Sequence, residues 1–117
     1  MTYTLNLSYL PCSLNRLMRM SWVVRRKILF NEASEVRIAA FQQDIPRATG
    51  KRRVSVVLVL GPHNRQRDGD NCLKSLLDAL VKAGLLVDDS PQWCDWMPPV
   101  FERGPKAATR VMLEDVE

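Results

Sequence analysis

Apolar and polar positions alternate from the start of the chain. Tyr3, Leu5, Leu7 and Tyr9 interleave with Thr4, Asn6 and Ser8, a period of two that predicts a half-buried strand ended by Pro11. The pattern then lapses, and Ser13 to Lys27 reads as a polar, basic loop. Val36, Ile38, Ala39, Ala40 and Phe41 predict a helix over 32–43, capped by Asn31, with Pro46 and Gly50 marking a turn behind it. Val54 to Leu60 is an almost unbroken β-branched run, too apolar for an edge and expected as a central strand stopping at Gly61-Pro62. Leu73, Leu76, Leu77, Leu80 and Val81 recur at threes and fours, the stripe of an amphipathic helix. Asp70 is placed to cap its start and Gly84 to end it in the left-handed conformation. Leu85-Leu86-Val87 reads as a short strand returning alongside. Trp93 to Phe101 reads as an irregular strand broken by Pro98-Pro99. After a Glu102–Pro105 turn, Arg110 to Leu113 is expected to pair back as a hairpin. These elements make an α+β fold, a small mixed sheet of about four to five strands with two principal helices, in a single domain over residues 1–117.

Composition narrows the class. With 117 residues, 46% hydrophobic and 26% charged, the chain has the size and balance of one globular domain. No apolar run approaches the roughly 20 residues of a membrane span, and the N-terminus lacks a signal-peptide layout, so a cytoplasmic protein without membrane association is expected. Cys12, Cys72 and Cys94 have neither CxxC spacing nor histidine neighbours, so they are read as reduced thiols. His63, the only histidine, is read as a surface residue. Charge is unevenly spread. Residues 1–67 carry twelve Lys/Arg against three acids, and residues 68–117 carry five against ten, which gives +9 and −5 within the overall +4. Basic surface attracts phosphate backbone, whereas clustered carboxylates repel it unless cations lie between them.

That acidic half opens with the most informative stretch, Arg65-Gln66-Arg67-Asp68-Gly69-Asp70-Asn71-Cys72-Leu73-Lys74. Asp68 and Asp70 stand two apart, so in an extended segment both leave the same side of the backbone and can converge on one cation. Asp88-Asp89, beyond the helix, is a second acidic pair that a returning strand brings to the same point. Lys74 lies four residues from Asp70 and from Asp78 on a face away from the leucines. A calcium-binding EF-hand loop is excluded, because Leu73 and Ala79 occupy the positions of its glycine and bidentate glutamate. Carboxylates of this kind suit Mg²⁺, with Mn²⁺ as a substitute, and phosphodiester hydrolysis by metal ions. Read from the residues, Asp70 and Asp89 are the primary ligands, Asp68 is a further ligand, Asp88 is a ligand or orients one, and Lys74 stabilises developing negative charge or positions the water. Asn15, Arg16 and Arg19 in the N-terminal loop, and Arg65 and Arg67 before the acids, are read as DNA phosphate contacts. Each feature alone has a plain structural explanation: a turn, a helix cap, an ion pair. Their joint occurrence is what points to a metal-dependent nuclease.

Asp68-Gly69-Asp70-Asn71, Lys74, Asp78-Ala79-Leu80, Gly84 and Asp88-Asp89 together resemble the core signature of the RusA family of Holliday-junction resolvases. Pro11-Cys12-Ser13-Leu14-Asn15-Arg16 is similar to that family's N-terminal segment. The resemblance implies a magnesium-dependent homodimeric endonuclease that nicks four-way DNA junctions in symmetric pairs during recombination and repair. It makes the residues matching Asp68, Asp70, Lys74 and Asp89 catalytic, and the residue matching Arg67 a DNA contact. The chain departs from the family pattern at Ser90-Pro91-Gln92, which carries an extra residue, at Pro98-Pro99, and at Leu77 in place of an aromatic. None of these is a proposed ligand. The rival readings are a branched-DNA-binding module without cleavage and a nuclease preferring flaps or single strands.

Overall fold

The computed structural model describes the backbone of residues 1–12, 14–64 and 69–116, and the side chains of these residues except 14, 15 and 69–72. The elements run β1 (Thr2–Leu7), α1 (Leu14–Met18), α2 (Trp22–Gln42), β2 (Arg52–Leu60), α3 (Gly69–Lys82), β3 (Cys94–Trp96), β4 (Val100–Arg103) and β5 (Ala108–Asp115). The fold is α+β, with a five-stranded mixed sheet and three helices.

β2 is central, as its β-branched run requires. It pairs antiparallel with β5 on one side and parallel with β3 and β4 on the other, and β5 pairs antiparallel with β1. α3 is thus the crossover of a parallel β-α-β unit, the connection that parallel strands need. The alternate residues Val54, Val56, Leu58 and Leu60 of β2 are buried with Leu5, Leu7, Val111 and Leu113. They pack beneath Val36 and Ala40 of α2 and Leu73, Leu76, Leu77 and Leu80 of α3. The opposite face of the sheet carries ion pairs, Arg53 with Asp95 and Glu114, and Arg110 with Glu102.

Several expectations are corrected. Residues 14–18 form a short helix rather than a loop, and α2 begins at Trp22, ten residues before the predicted start. Its cap is Ser21, whose Oγ accepts the Val24 amide at 3.4 Å, and Asn31 lies within the helix. Gly69 is already helical, so Asp70 lies inside the first turn of α3 and does not cap it. β4 and β5 are not a hairpin: both pair with β2, on its opposite edges. Leu85–Val87 is not a strand. Gly84 ends α3 at φ 81°, as expected, and the Leu85 amide reaches back to Leu80 O at 2.9 Å while the Gly84 amide reaches Val81 O at 3.0 Å. This Schellman closure drops Leu85 and Leu86 into the core, so their apolar character serves packing rather than sheet pairing. The interruption at Pro98-Pro99 separates β3 from β4, as the sequence predicts.

Candidate functional site

Of the chemistry-bearing stretch, the described part, Gly69 to Lys74, lies in the first half of α3. α3 presents Gly69 and Asp70 in its first turn, and its 14 residues rise about 20 Å to Lys82. The two helix ends sit at opposite ends of the sheet. At the far end, Arg52 opens β2 and is only 2% exposed. Its guanidinium donates to Asp115 Oδ1 at 2.8 Å, to Pro46 O at 3.1 Å and to Leu85 O at 3.0 Å, and it lies 5.2 Å over the Tyr3 ring. Its amide donates to Trp93 O, while Ser90 O accepts the Trp93 and Cys94 amides. Asp88 and Asp89 therefore hang between two anchors, Leu85 and Ser90–Trp93, both fixed at Arg52. Both carboxylates are exposed. The Ser90 hydroxyl, and then the Asp89 amide, hold the Asp88 carboxyl below the usual carboxylate range. Hard carboxylate oxygens of this kind suit a divalent cation such as Mg²⁺.

The other end belongs to the first half of α3. The Ser75 hydroxyl donates to Cys12 O at 3.1 Å, and the Cys12 amide donates to Glu32 Oε1 at 2.8 Å. Thr109, opposite Leu58 near the end of β2, donates to Tyr9 O at 2.6 Å. These bonds fix the Tyr9–Cys12 segment, and α1 behind it, beside the start of α3. Glu32 is 8% exposed, and its Oε2 has no hydrogen-bond partner among the described residues. Burial pushes its carboxyl above the usual range, against the opposing pull of the Cys12 amide and the Ser75 hydroxyl. Tyr9, beside it, is also pushed up, by burial first and by Glu32 and Glu35 after that.

Of the predicted residues, Lys74 is exposed on α3 and forms no ion pair with a described residue. Asp78 pairs instead with Lys82, at 3.0 Å. Arg16 lies on α1 and Arg19 just after it, both exposed. Asp68, Arg65 and Arg67 lie outside the described residues, as do the side chains of Asp70 and Asn15. His63 is exposed in a turn. Among the described residues no three His, Cys, Asp or Glu side chains gather to hold a metal. Asp88–Asp89 and the first turn of α3 do not meet within one chain, as the returning strand would have had them do: the length of α3 lies between them.

Three contributors escaped the sequence reading. Glu32 is one, although a carboxylate on the same stripe as Val36 and Ala40 is a legible signal. Arg52, in register with the buried side of β2, is another. Arg103 is the third. It donates to Asn64 O at 2.6 Å and to Gly61 O at 3.2 Å, and so holds the approach to the acidic stretch.

A model of the family described as endodeoxyribonuclease RusA matches residues 15–112, which take in every element from α2 to β4 and most of α1 and β5. The chain belongs to the RusA endodeoxyribonuclease family. RusA nucleases act in general on branched DNA junctions, and membership supports hydrolysis of DNA as the activity of this chain. The match spans both ends of α3 and the Asp88–Asp89 pair. No curated protein matches the chain. No helix among the described residues is long and apolar enough to cross a membrane.

Proposed function

We propose that the protein is a magnesium-dependent, homodimeric endonuclease that resolves four-way DNA junctions by paired, symmetric nicks in recombination and repair. Asp68, Asp70, Asp88 and Asp89 hold the metal, Lys74 meets negative charge developing on the phosphate, and Asn15, Arg16, Arg19, Arg65 and Arg67 contact the DNA. Bound Mg²⁺ would supply charge neutralisation and an acidified water. Mn²⁺ has the same ligand chemistry and can replace it.

The observation that carries this reading is the arrangement along α3 in a chain of the RusA family, with Asp70 and Lys74 in its first half and Asp88–Asp89 beyond its other end. About 20 Å of helix separates the two acidic groups, too far for one cation. A centre that uses both therefore draws on two chains, each lending its Asp88–Asp89 to the first turn of the other's α3. A two-fold pair makes two equivalent centres, which suits two matched nicks on a two-fold junction.

The test is nicking of a synthetic four-way junction, a flap and a linear duplex, with Mg²⁺ and with EDTA, while a gel shift follows binding. Paired metal-dependent nicks confined to the junction support the reading. Tight junction binding without cutting in Mg²⁺ or Mn²⁺ makes the protein a binding module, and preferential cutting of the flap makes it a flap nuclease.

A further inference from the structure

α2 is longer than its core contacts require. Glu32, Val36 and Ala40 are buried, while Trp22 is 60% exposed and Phe30 68%. A groove of about 620 Å³ follows this face, lined by Trp22, Arg26, Lys27, Phe30, Ser34 and Arg37 among others. These positions recur at threes and fours, so they form one continuous stripe, about 22 Å from Trp22 to Arg37.

The direction of the stripe is fixed by two contacts. Glu32 is tied through Cys12 to Ser75, and five residues further on Arg37 donates to Lys82 O at 3.3 Å. α2 and α3 therefore run the same way, and the Trp22 end of the groove lies toward the first turn of α3, where Asp70 stands.

The chemistry of the stripe selects its occupant. Arg26 lies 5.3 Å over the Trp22 ring, so a cation and a π-face are already paired on the groove. All the charged residues lining the groove are cationic: Arg26, Lys27, Arg37 and Lys82. Among the described residues only Lys82 of these four pairs with an acid, Asp78. Residues 1–31 hold five Lys/Arg and no acid. A second copy laid face to face on this stripe would set Arg26, Lys27 and Arg37 against themselves. A polyanion with flat apolar faces has no such conflict, and cationic grooves set with aromatic rings are how proteins hold unpaired nucleic-acid strands.

We infer that the α2 groove binds one unpaired DNA strand, its phosphates on Arg26, Lys27 and Arg37 and its bases stacked on Trp22 and Phe30. The inference rests on the DNA-cutting reading above for its ligand. It adds a second surface that favours junctions with opened arms over closed duplex.

The test is anisotropy of a labelled twelve-nucleotide oligothymidine and of a twelve-base-pair duplex, in EDTA so that nothing is cut. Trp22→Ala and Phe30→Ala each weaken oligothymidine binding at least about fivefold and leave duplex binding within about twofold. Trp22→Phe, which keeps a π-face, restores most of the loss. Arg26→Gln with Lys27→Gln lowers the salt slope of oligothymidine binding by about 0.7 per cation removed, with both aromatic rings kept. Unchanged oligothymidine affinity in these variants overturns the inference. So does sedimentation in which Trp22→Ala with Phe30→Ala turns a wild-type dimer into monomers at unchanged oligothymidine affinity, because the stripe is then the seat of a second copy. A chain that stacks oligothymidine but fails to nick junctions contradicts only the cutting reading, and a chain that nicks but binds oligothymidine alike in every variant contradicts only this inference.

Discussion

The Cys12 amide donates to Glu32 Oε1 at 2.8 Å, joining the middle of α2 to the segment that leads into α1. The Cys12 carbonyl in turn accepts the Ser75 hydroxyl of α3, one residue beyond Lys74. A single buried carboxyl thus sets the spacing between the basic N-terminal segment and the helix that bears Asp70 and Lys74. This is a positioning role, exerted through the backbone.

Its pH dependence has a definite sign. Burial raises the Glu32 carboxyl in the folded chain above its unfolded value. Between the two values the folded state binds the extra proton, so stability falls as pH rises through that window. Glu32→Gln keeps the acceptor for Cys12 and loses the titration. Urea unfolding from pH 4 to pH 8 should therefore give a wild-type-minus-variant difference that turns against the wild type as pH rises. Glu32→Ala also leaves the buried Cys12 amide without this acceptor and is less stable than Glu32→Gln by about 1–3 kcal/mol. A difference that is flat with pH contradicts the assignment.

Arg52 fixes the other end of α3. Its guanidinium serves Asp115, Pro46 and Leu85 from a buried position, so Arg52→Met takes the donor from two backbone carbonyls, while the exposed Asp115 carboxylate keeps water and the N-terminal ammonium at 4.0 Å. A loss of about 1–3 kcal/mol is expected in urea unfolding. Faster amide hydrogen exchange over residues 85–90 is also expected, since Leu85 loses its tether. Stability within about 0.5 kcal/mol of wild type contradicts the role.

Gly84 stands at φ 81°, and a Cβ there would come within 2.8 Å of the Arg47 side chain, which is free to swing aside. The backbone conformation remains the cost. Gly84→Ala is expected to destabilise by about 1–2 kcal/mol in urea unfolding, and Gly84→Asn by less.

Lys74 is exposed beside the first turn of α3 and is assigned to the developing charge rather than to holding the DNA. Lys74→Ala should lower the nicking rate at saturating Mg²⁺ by about 10²–10³-fold, with junction affinity in the gel shift changed severalfold at most. A variant that loses affinity in proportion to rate would make Lys74 a binding residue.

What the sequence discloses follows from which patterns are local. The leucine stripe of α3, its end at Gly84 and the central β-branched strand are local regularities, and all three are found in the fold. The first ten residues of α2 carry Trp22, Val23 and Phe30 on the exposed side, so no single-face stripe announces a helix there. The insertion of β5 between β1 and β2 is a non-local pairing that no local pattern encodes. Leu85-Leu86 looks like a strand because burial and strand pairing both select apolar residues. The acidic motif is legible residue by residue. The distance between its halves is not, because it is set by a straight helix with Arg52 anchoring the chain at its far end.

The most direct test of a metal-dependent centre shared between two chains is complementation. Asp70→Asn and Asp89→Asn are each prepared, then mixed after partial unfolding and refolding, and assayed on a four-way junction with Mg²⁺ and with EDTA. Each variant alone should bind the junction without nicking it. The mixture should recover metal-dependent nicking, one nick per junction, because a mixed pair holds one centre with both acids and one with neither. A mixture as inactive as its parts, beside an active wild type, would contradict the shared centre.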